Sequence, residues 1–376
     1  MTTTAETYQS ALERVCAETI APNAGRVDRD GAFPTESIQA LAAAGLLGAL
    51  SSEASGGLDL GLQGAALIVH RVAEDCGSTA MVLTMHYSGV AILEKHGPKE
   101  VRSAAASGAH LSTLAFSESG SRSHFWAPVS TATELDGMVR LDARKSWITS
   151  ASHATSYVWS SRPLAADGAS TIWLVPASSP GLAIAGPFEG LGLRANDSSP
   201  VSAVNVQVPP SAMLGGDGQG FDIMMSIVLP VFAVLNAACS NGLMAGAIRR
   251  TVEHVTKTRH SDTGAALADL PTIRAYIARM RVKADLSEAL LSDTMAAIAA
   301  SREDAMLRVL ECKAAAGETA NEVLDLAMRV CGGAAFRKEV GVERLFRDAR
   351  AAGVMAPTTD VLYEFLGKAV CGMPLF

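Results

Sequence analysis

Apolar positions recur at three- and four-residue spacing through Ala11–Ile20, Ile38–Leu46, Leu62–Ala73 and Met81–His96, the rhythm of helices that bury one face. Turn chemistry separates these runs. Asp30-Gly31 and Phe33-Pro34-Thr35 break the first pair, with Thr35 placed to cap the next helix, and Ser55-Gly56-Gly57 ends the following segment. From about Leu111 to Pro210 the rhythm changes: short β-branched or aromatic runs (Lys145–Thr149, Tyr157–Ser160, Thr171–Val175, Val201–Val208) are separated by Gly, Ser, Pro and Asp. Strands this short and closely spaced predict a small antiparallel barrel or sandwich. Helical spacing then returns in Ile223–Thr258, Leu270–Ala300, Asp304–Cys331 and Thr359–Val370. The expected fold is mainly α with a central β domain: an N-terminal helical domain over 1–112, a β domain over 113–215 and a C-terminal helical bundle over 216–376.

With 376 residues the chain has room for two or three cores at roughly 100–200 residues each. Apolar residues make up 49% and charged residues 18%, with a mean hydropathy of +0.23, which excludes disorder as the main state. A net charge of −7 is the wrong sign for a nucleic-acid binder. Cys16, Cys76, Cys239, Cys312, Cys331 and Cys371 include no CxxC pair and read as reduced core thiols of a cytoplasmic protein, with no metal site. The opening MTTTAETYQSALERVC has neither a basic n-region nor an apolar h-region, so no signal peptide is expected there. The charge-free run from Ile223 to Ile248 could pose as a membrane span, but it contains Pro230, Asn236, Ser240, Asn241 and Gly242 and lacks basic flanks. A helix buried on all sides, and no membrane partner, is the expectation.

Two glycine clusters, Gly215-Gly216-Asp217-Gly218-Gln219-Gly220 and Cys331-Gly332-Gly333, lack the βαβ setting of a phosphate loop. They read as a turn that starts the long helix and as a helix end where backbone can approach a ligand. Leu114–His124 is richer. It concentrates hydroxyls, turn residues and a guanidinium at the junction of the helical and strand regions, where clefts form. Lys145-Ser146-Trp147-Ile148-Thr149 adds an indole that could cover a ring and a hydroxyl that could donate to a ring heteroatom. Each segment alone would be a loop and a core strand; together they suit a flat cofactor.

The whole chain resembles the acyl-CoA dehydrogenase family. Ile20-Ala21-Pro22, Asp28–Pro34, Gly45–Gly48 and Gly56-Gly57-Leu58 are similar to the family's N-terminal helical signature. Ser117–Ser123 resembles its T-E-P-G-x-G-S flavin loop, and Trp147-Ile148-Thr149 matches its W-I-T motif residue for residue. Gly190–Arg194, Leu214–Phe221, Gly332-Gly333 and Val342–Arg350 follow in the family's order. The resemblance implies an acyl-CoA dehydrogenase-like fold with a small β-barrel domain, and FAD as cofactor. It implies FAD contacts at Phe116, Ser117, Ser123, Trp147 and Thr149, with Thr358 matching the Thr of the family's E-G-T-x-E run and Asp360 close by. Arg259, or its neighbour His260, would reach the pyrophosphate of FAD in an adjacent subunit, and Gly333 its adenosine end, so a homotetramer is implied.

The pattern breaks at the base. In the ordinary family mechanism a Glu removes the proton α to a thioester while the flavin takes a hydride from the β carbon. The usual position of that Glu aligns with Ala356 and the alternative with Phe232, both apolar, while the Arg that follows on the long helix aligns with Ala233. Glu118 matches a family position outside the base role. Candidate substitutes are His86 and His124. Three functions remain open. The first is an FAD-dependent oxidoreductase performing α,β-oxidation of an acyl thioester, on CoA or a carrier protein, with a relocated or absent base and an electron-transfer flavoprotein or oxygen as acceptor. The second is a flavoenzyme of the same fold doing oxygenation or a desulfinase-like elimination. The third is a flavin-binding interaction protein without turnover.

Overall fold

A computed structural model of the chain describes residues 7–121 and 124–374. Helix α1 (Tyr8–Val15) starts where the Thr7 hydroxyl accepts the Ser10 N–H at 3.2 Å, then runs through a π turn into α2 (Ala21–Asp30), which Gly31 closes at φ +60°. In α3 (Thr35–Ala43) the expected cap is not made: the chain enters the helix one residue early, at Pro34, so Thr35 is already helical. The first region continues with α4 (Gly61–Ala73), α5 (Gly77–His96) and α6 (Lys99–Ala106).

The strand region holds β1 (Ser112–Ala115), β2 (Thr131–Leu135), β3 (Met138–Ile148), β4 (Ser156–Ser161), β5 (Thr171–Pro176), β6 (Leu182–Ile184) and β7 (Ser199–Val208). They form two sheets, β1-β4-β5 and β2-β3-β7-β6, and among the described residues no barrel closes. Nor is the region wholly antiparallel. β1 and β4 are joined through strands of the other sheet, so they pair by crossover, in parallel, with Ser112 opposite Ser156. Leu141, Val201 and Val206 from one sheet and Tyr157, Trp159 and Trp173 from the other bury one apolar layer between them.

The last region comprises α7 (Gly220–Ile223), a π turn at Met224–Val228, α8 (Leu229–Lys257), α9 (Pro271–Ala299), α10 (Ala305–Cys331), α11 (Val342–Ala349) and α12 (Thr359–Val370). α8 packs against α4, α5, α9 and α10, which accounts for the charge-free stretch from its start to Ile248, where it meets protein on nearly every side. Asn241 of α8 finds partners on α9. The Asn241 amide donates to Glu288 at 2.8 Å and accepts from Ser287 at 2.6 Å. Helices of the first and last regions share one core, from Leu12, Ile20 and Leu41 to Leu243, Met280 and Leu324. All six cysteines are free thiols. Five are buried; Cys371, expected in the core, is exposed because it follows the end of α12.

One buried ion pair stitches the strand region together. Lys145 on β3 donates to the Glu118 carboxylate, to the Ser160 carbonyl at 2.7 Å and to the Ser160 hydroxyl at 3.0 Å, which uses all three of its N–H groups. Glu118 also accepts from the Val129 and Ser130 N–H groups at 2.7 and 2.9 Å and from the Ser130 hydroxyl. Removing one partner strands a charge in the core, so Glu118→Ala should destabilise the protein by about 3–5 kcal/mol. Urea unfolding of Glu118→Ala combined with Lys145→Met should recover most of that loss. A double variant as unstable as the single one would show that the hydrogen-bonded geometry, rather than the stranded charge, sets the penalty.

Candidate active site

Between the three regions lies a cavity of about 530 Å³. Its strand-side wall comes from Phe116 to Ser119 and Ser121 of the segment after β1, from Ser146 to Thr149 at the end of β3, and from Asn196 and Ser198 before β7. The opposite wall is apolar: Met81 and Met85 from α5, Val228, Leu229 and Phe232 around the start of α8, and Ala351, Val354, Met355 and Ala356 after α11.

Local backbone chemistry aims the strand-side residues. The register between β3 and β7 slips between Lys145 and Ile148, and Trp147 sits in that irregularity at φ +58°. A bulge of this kind re-aims a side chain. Here it turns the indole out of the sheet, leaving it 71% exposed on the cavity wall and edge-on to Phe188, with ring centroids 6.4 Å apart. Ser117 is held against the same strand because its carbonyl accepts the Ser146 N–H at 2.9 Å. Thr149 is buried. Its carbonyl accepts from the Thr113 hydroxyl at 2.7 Å, and its own hydroxyl lies 3.1 Å from that of Ser198.

Among the described residues of the wall, Glu118 is the sole acid or base. Burial pushes its carboxyl up, but the Lys145 charge and the donors from Lys145, Ser130 and Val129 together outweigh burial and hold it below the usual carboxylate range. Burial in turn lowers Lys145 to about 8, against the pull of Glu118. Behind the apolar wall, Lys313 of α10 donates to the carbonyls of Ala352, Met355 and Pro357 at 3.2, 3.0 and 2.8 Å. Burial pushes its ammonium down to about 7.

The cavity therefore brings together six of the residues singled out in the sequence: Phe116, Ser117, Trp147 and Thr149, with Phe232 and Ala356, the two apolar positions that the resemblance aligns with the family's Glu. Ser123 lies outside the described residues. Thr358 caps α12, accepting the Val361 N–H at 3.5 Å, and Asp360 is exposed in that helix's first turn; neither is on the wall. Arg259 donates to the Gly264 carbonyl at 2.9 Å on an exposed loop, and Gly333 is exposed just past α10, both away from this cavity. Neither candidate histidine is among the cavity's lining residues. His124 stacks on Trp126 with ring centroids 4.8 Å apart and does not line the cavity. His86 is fully buried: its Nδ1 accepts the Ser112 N–H and its Nε2 donates to the Leu47 carbonyl, each at 3.1 Å. It ties α5 to β1. Sequence reasoning missed Asn196, Ser198 and Lys313. Of these only Lys313 left a signal, a lone cation on the helix face marked by Val309, Ala316 and Ala320.

Three family models match the chain in order: acyl-CoA dehydrogenase, N-terminal domain over residues 2–107, middle domain over 113–206 and C-terminal domain over 218–371. The chain belongs to the acyl-CoA dehydrogenase family. Cyclohex-1-ene-1-carbonyl-CoA dehydrogenase of Geobacter metallireducens is 28% identical over 95% of each chain. The human mitochondrial short-chain specific acyl-CoA dehydrogenase is 28% identical over 95% of this chain and 88% of that protein. The butyryl-CoA dehydrogenase structure from Megasphaera elsdenii superposes with a TM-score of 0.89 at 21% identity, covering 99% of this chain and 100% of that one.

The family's cofactor, FAD, fits the strand-side wall. A flat ring system needs aromatic and aliphatic faces with a few polar groups at its edge, and Phe116, Trp147, Ile148 and Phe188 supply the first while Ser117, Thr149 and Asn196 supply the second. The Asn196 side-chain oxygen, buried and without a hydrogen-bond partner, marks a wall that a ligand completes.

His86 gives the fold a pH signature. Burial pushes its imidazole from 6.5 down to about 4, with the Leu47 carbonyl opposing, so the folded state holds it neutral. The unfolded chain binds the extra proton first. The resulting stability is complete above pH 6.5 and is lost as pH falls through about 4, by roughly 3 kcal/mol in all. Urea unfolding between pH 7 and 4 should show a steeper loss in the native protein than in His86→Gln; parallel curves would remove His86 from the acid response.

Proposed function

We propose that this FAD-dependent oxidoreductase of the acyl-CoA dehydrogenase type oxidises an acyl thioester between its α and β carbons without a protein carboxylate as base, the β hydrogen leaving as a hydride and the α proton passing to solvent water at the mouth of the cavity. The observation that carries the reading is the chemistry of the wall: among its described residues Glu118 alone is ionisable, and its oxygens are engaged by Lys145, Ser130 and Val129. Protonating Glu118 would leave the Lys145 ammonium buried beside a neutral acid, so it holds its charge instead of accepting a substrate proton. FAD bound here supplies a hydride acceptor. The chain's own contribution is placement. Trp147, Phe116 and the Ser117 and Thr149 hydroxyls bind and orient the ring, and Phe232, Leu229, Met85 and Met355 hold the acyl chain.

The same reading includes a homotetramer, in which Arg259 and Gly333 reach the cofactor of a neighbouring copy; their exposure away from their own cavity supports it. An electron-transfer flavoprotein or oxygen would take the electrons. A second reading, oxygenation or a desulfinase-like elimination on the same fold, is favoured by the same bare wall, since neither needs the missing Glu.

Anaerobic mixing with saturated acyl thioesters, on CoA and on a carrier protein, separates the two. Bleaching of bound FAD by one of them is expected, slowly. Absence of bleaching across the panel, in protein that retains FAD, overturns the oxidation and favours the second reading. Ala356→Glu should speed bleaching by about 10²–10⁴-fold, the usual contribution of a positioned base. Lys313 on the two flanking carbonyls should help keep the new carboxylate ionised. A rate unchanged by Ala356→Glu would show that proton removal does not limit the reaction.

A further inference from the structure

The loop that leads into β7 is held harder than a connection requires. Leu193 and Asp197 both sit in the left-handed region, at φ +50° and +51°, which a branched side chain such as leucine rarely adopts. At Gly192 an added Cβ would lie 2.2 Å from the Arg347 carbonyl, so the loop is also pressed onto the end of α11. Strain of this kind persists only where the surroundings over-determine the backbone, and here they do. The Leu193 N–H donates to buried Asp348 at 2.7 Å, the Ala195 N–H to the Ser78 hydroxyl at 3.3 Å and the Asn196 N–H to the Leu193 carbonyl at 3.0 Å. The Asn196 and Asp197 carbonyls accept from the Ser150 and Ala151 N–H groups at 2.8 and 3.1 Å, and the Asp197 carboxylate accepts from Ser152 at 2.6 Å.

Among these satisfied groups one is not. Asn196 is 1% exposed and lines the cavity, yet its Oδ1 has no donor. Two residues on, the Ser198 hydroxyl meets that of Thr149, which the flavin reading places on the ring. An orphaned buried acceptor is costly, and a strained loop that presents it to a ligand cavity is explained when a ligand supplies the donor. The two expected occupants differ in what they offer. The reacting end of an acyl thioester carries only acceptors, whereas the imide edge of an isoalloxazine carries an N–H flanked by carbonyls.

Resting on the flavin reading, we propose that Asn196 is a positioning residue for FAD: its carboxamide completes its hydrogen bonding on the polar edge of the flavin ring, while Ser198 sets the Thr149 hydroxyl beside it. The test compares Asn196→Leu with the native protein by FAD titration of the apoprotein and by thermal unfolding with and without FAD. Loss of one hydrogen bond to the cofactor should weaken FAD binding about tenfold and shift the visible flavin spectrum. The cofactor-free midpoint should stay level or rise, because an unsatisfied atom has gone. Asn196→Ser, which retains an acceptor in less space, should fall between the two and keeps the test open if leucine is not accommodated. A lowered apoprotein midpoint with FAD affinity and spectrum unchanged would make Asn196 purely structural and overturn the proposal. Failure of the native protein to bind FAD would overturn the flavin reading itself, a result distinct from either.

Discussion

The Lys145 ammonium, buried between Glu118 and Ser160, is the constraint on which the strand-side wall depends. It joins β3, β4 and the segment after β1 at one point, and the Trp159 ring lies 5.1 Å from it. Such a pair contributes little net stability relative to an apolar replacement, because desolvating two charges offsets most of their attraction. What it does fix is register. With Glu118 tied to Lys145, the Ser117 carbonyl falls on the Ser146 N–H, and the bulge that follows turns Trp147 outward rather than into the sheet. The outward placement of the indole on the cavity wall is thus tied to one charge placed two residues before it.

The sequence made the long elements legible because each carries many turns of one period. α4, α5, α8, α9 and α10 bury faces wide enough for the spacing of apolar residues to average over local noise. Short elements lacked that averaging. All four residues of β1 are buried, so no alternation marks it, while β2 buries only Ala132. Closure of a barrel was equally invisible, since strand runs carry no record of which partner they take, and β1 pairs with β4 across 44 positions of sequence.

At the site, the motif residues were legible by type but not by orientation. Lys145–Thr149 reads by period as a core strand; the bulge within it is a property of pairing with β7 and reverses the fate of Trp147. His86 shows the opposite error. A histidine on an apolar helix near the expected pocket looks chemically available, but two backbone groups, from Leu47 and Ser112, claim both ring nitrogens. Asn196 had no signature at all, because loop residues follow no period and its lack of a partner emerges only once the surrounding backbone groups are accounted for.

The same accounting explains how the chain tolerates apolar residues at both positions that the family resemblance assigns to the base. A carboxylate at either position would stand near Lys313, and its loss could have left a buried cation unpaired, one of the more destabilising defects a core can hold. Here the three N–H groups of Lys313 are taken by the carbonyls of Ala352, Met355 and Pro357. Phe232, itself one of those two positions, places its ring centroid 5.8 Å from the same nitrogen. An aromatic ring carries negative charge density on its face and attracts a cation without accepting a proton. Lys313 therefore keeps the loop bearing Ala356 in place with no help from a carboxylate, and the cavity keeps its shape with apolar residues at both positions.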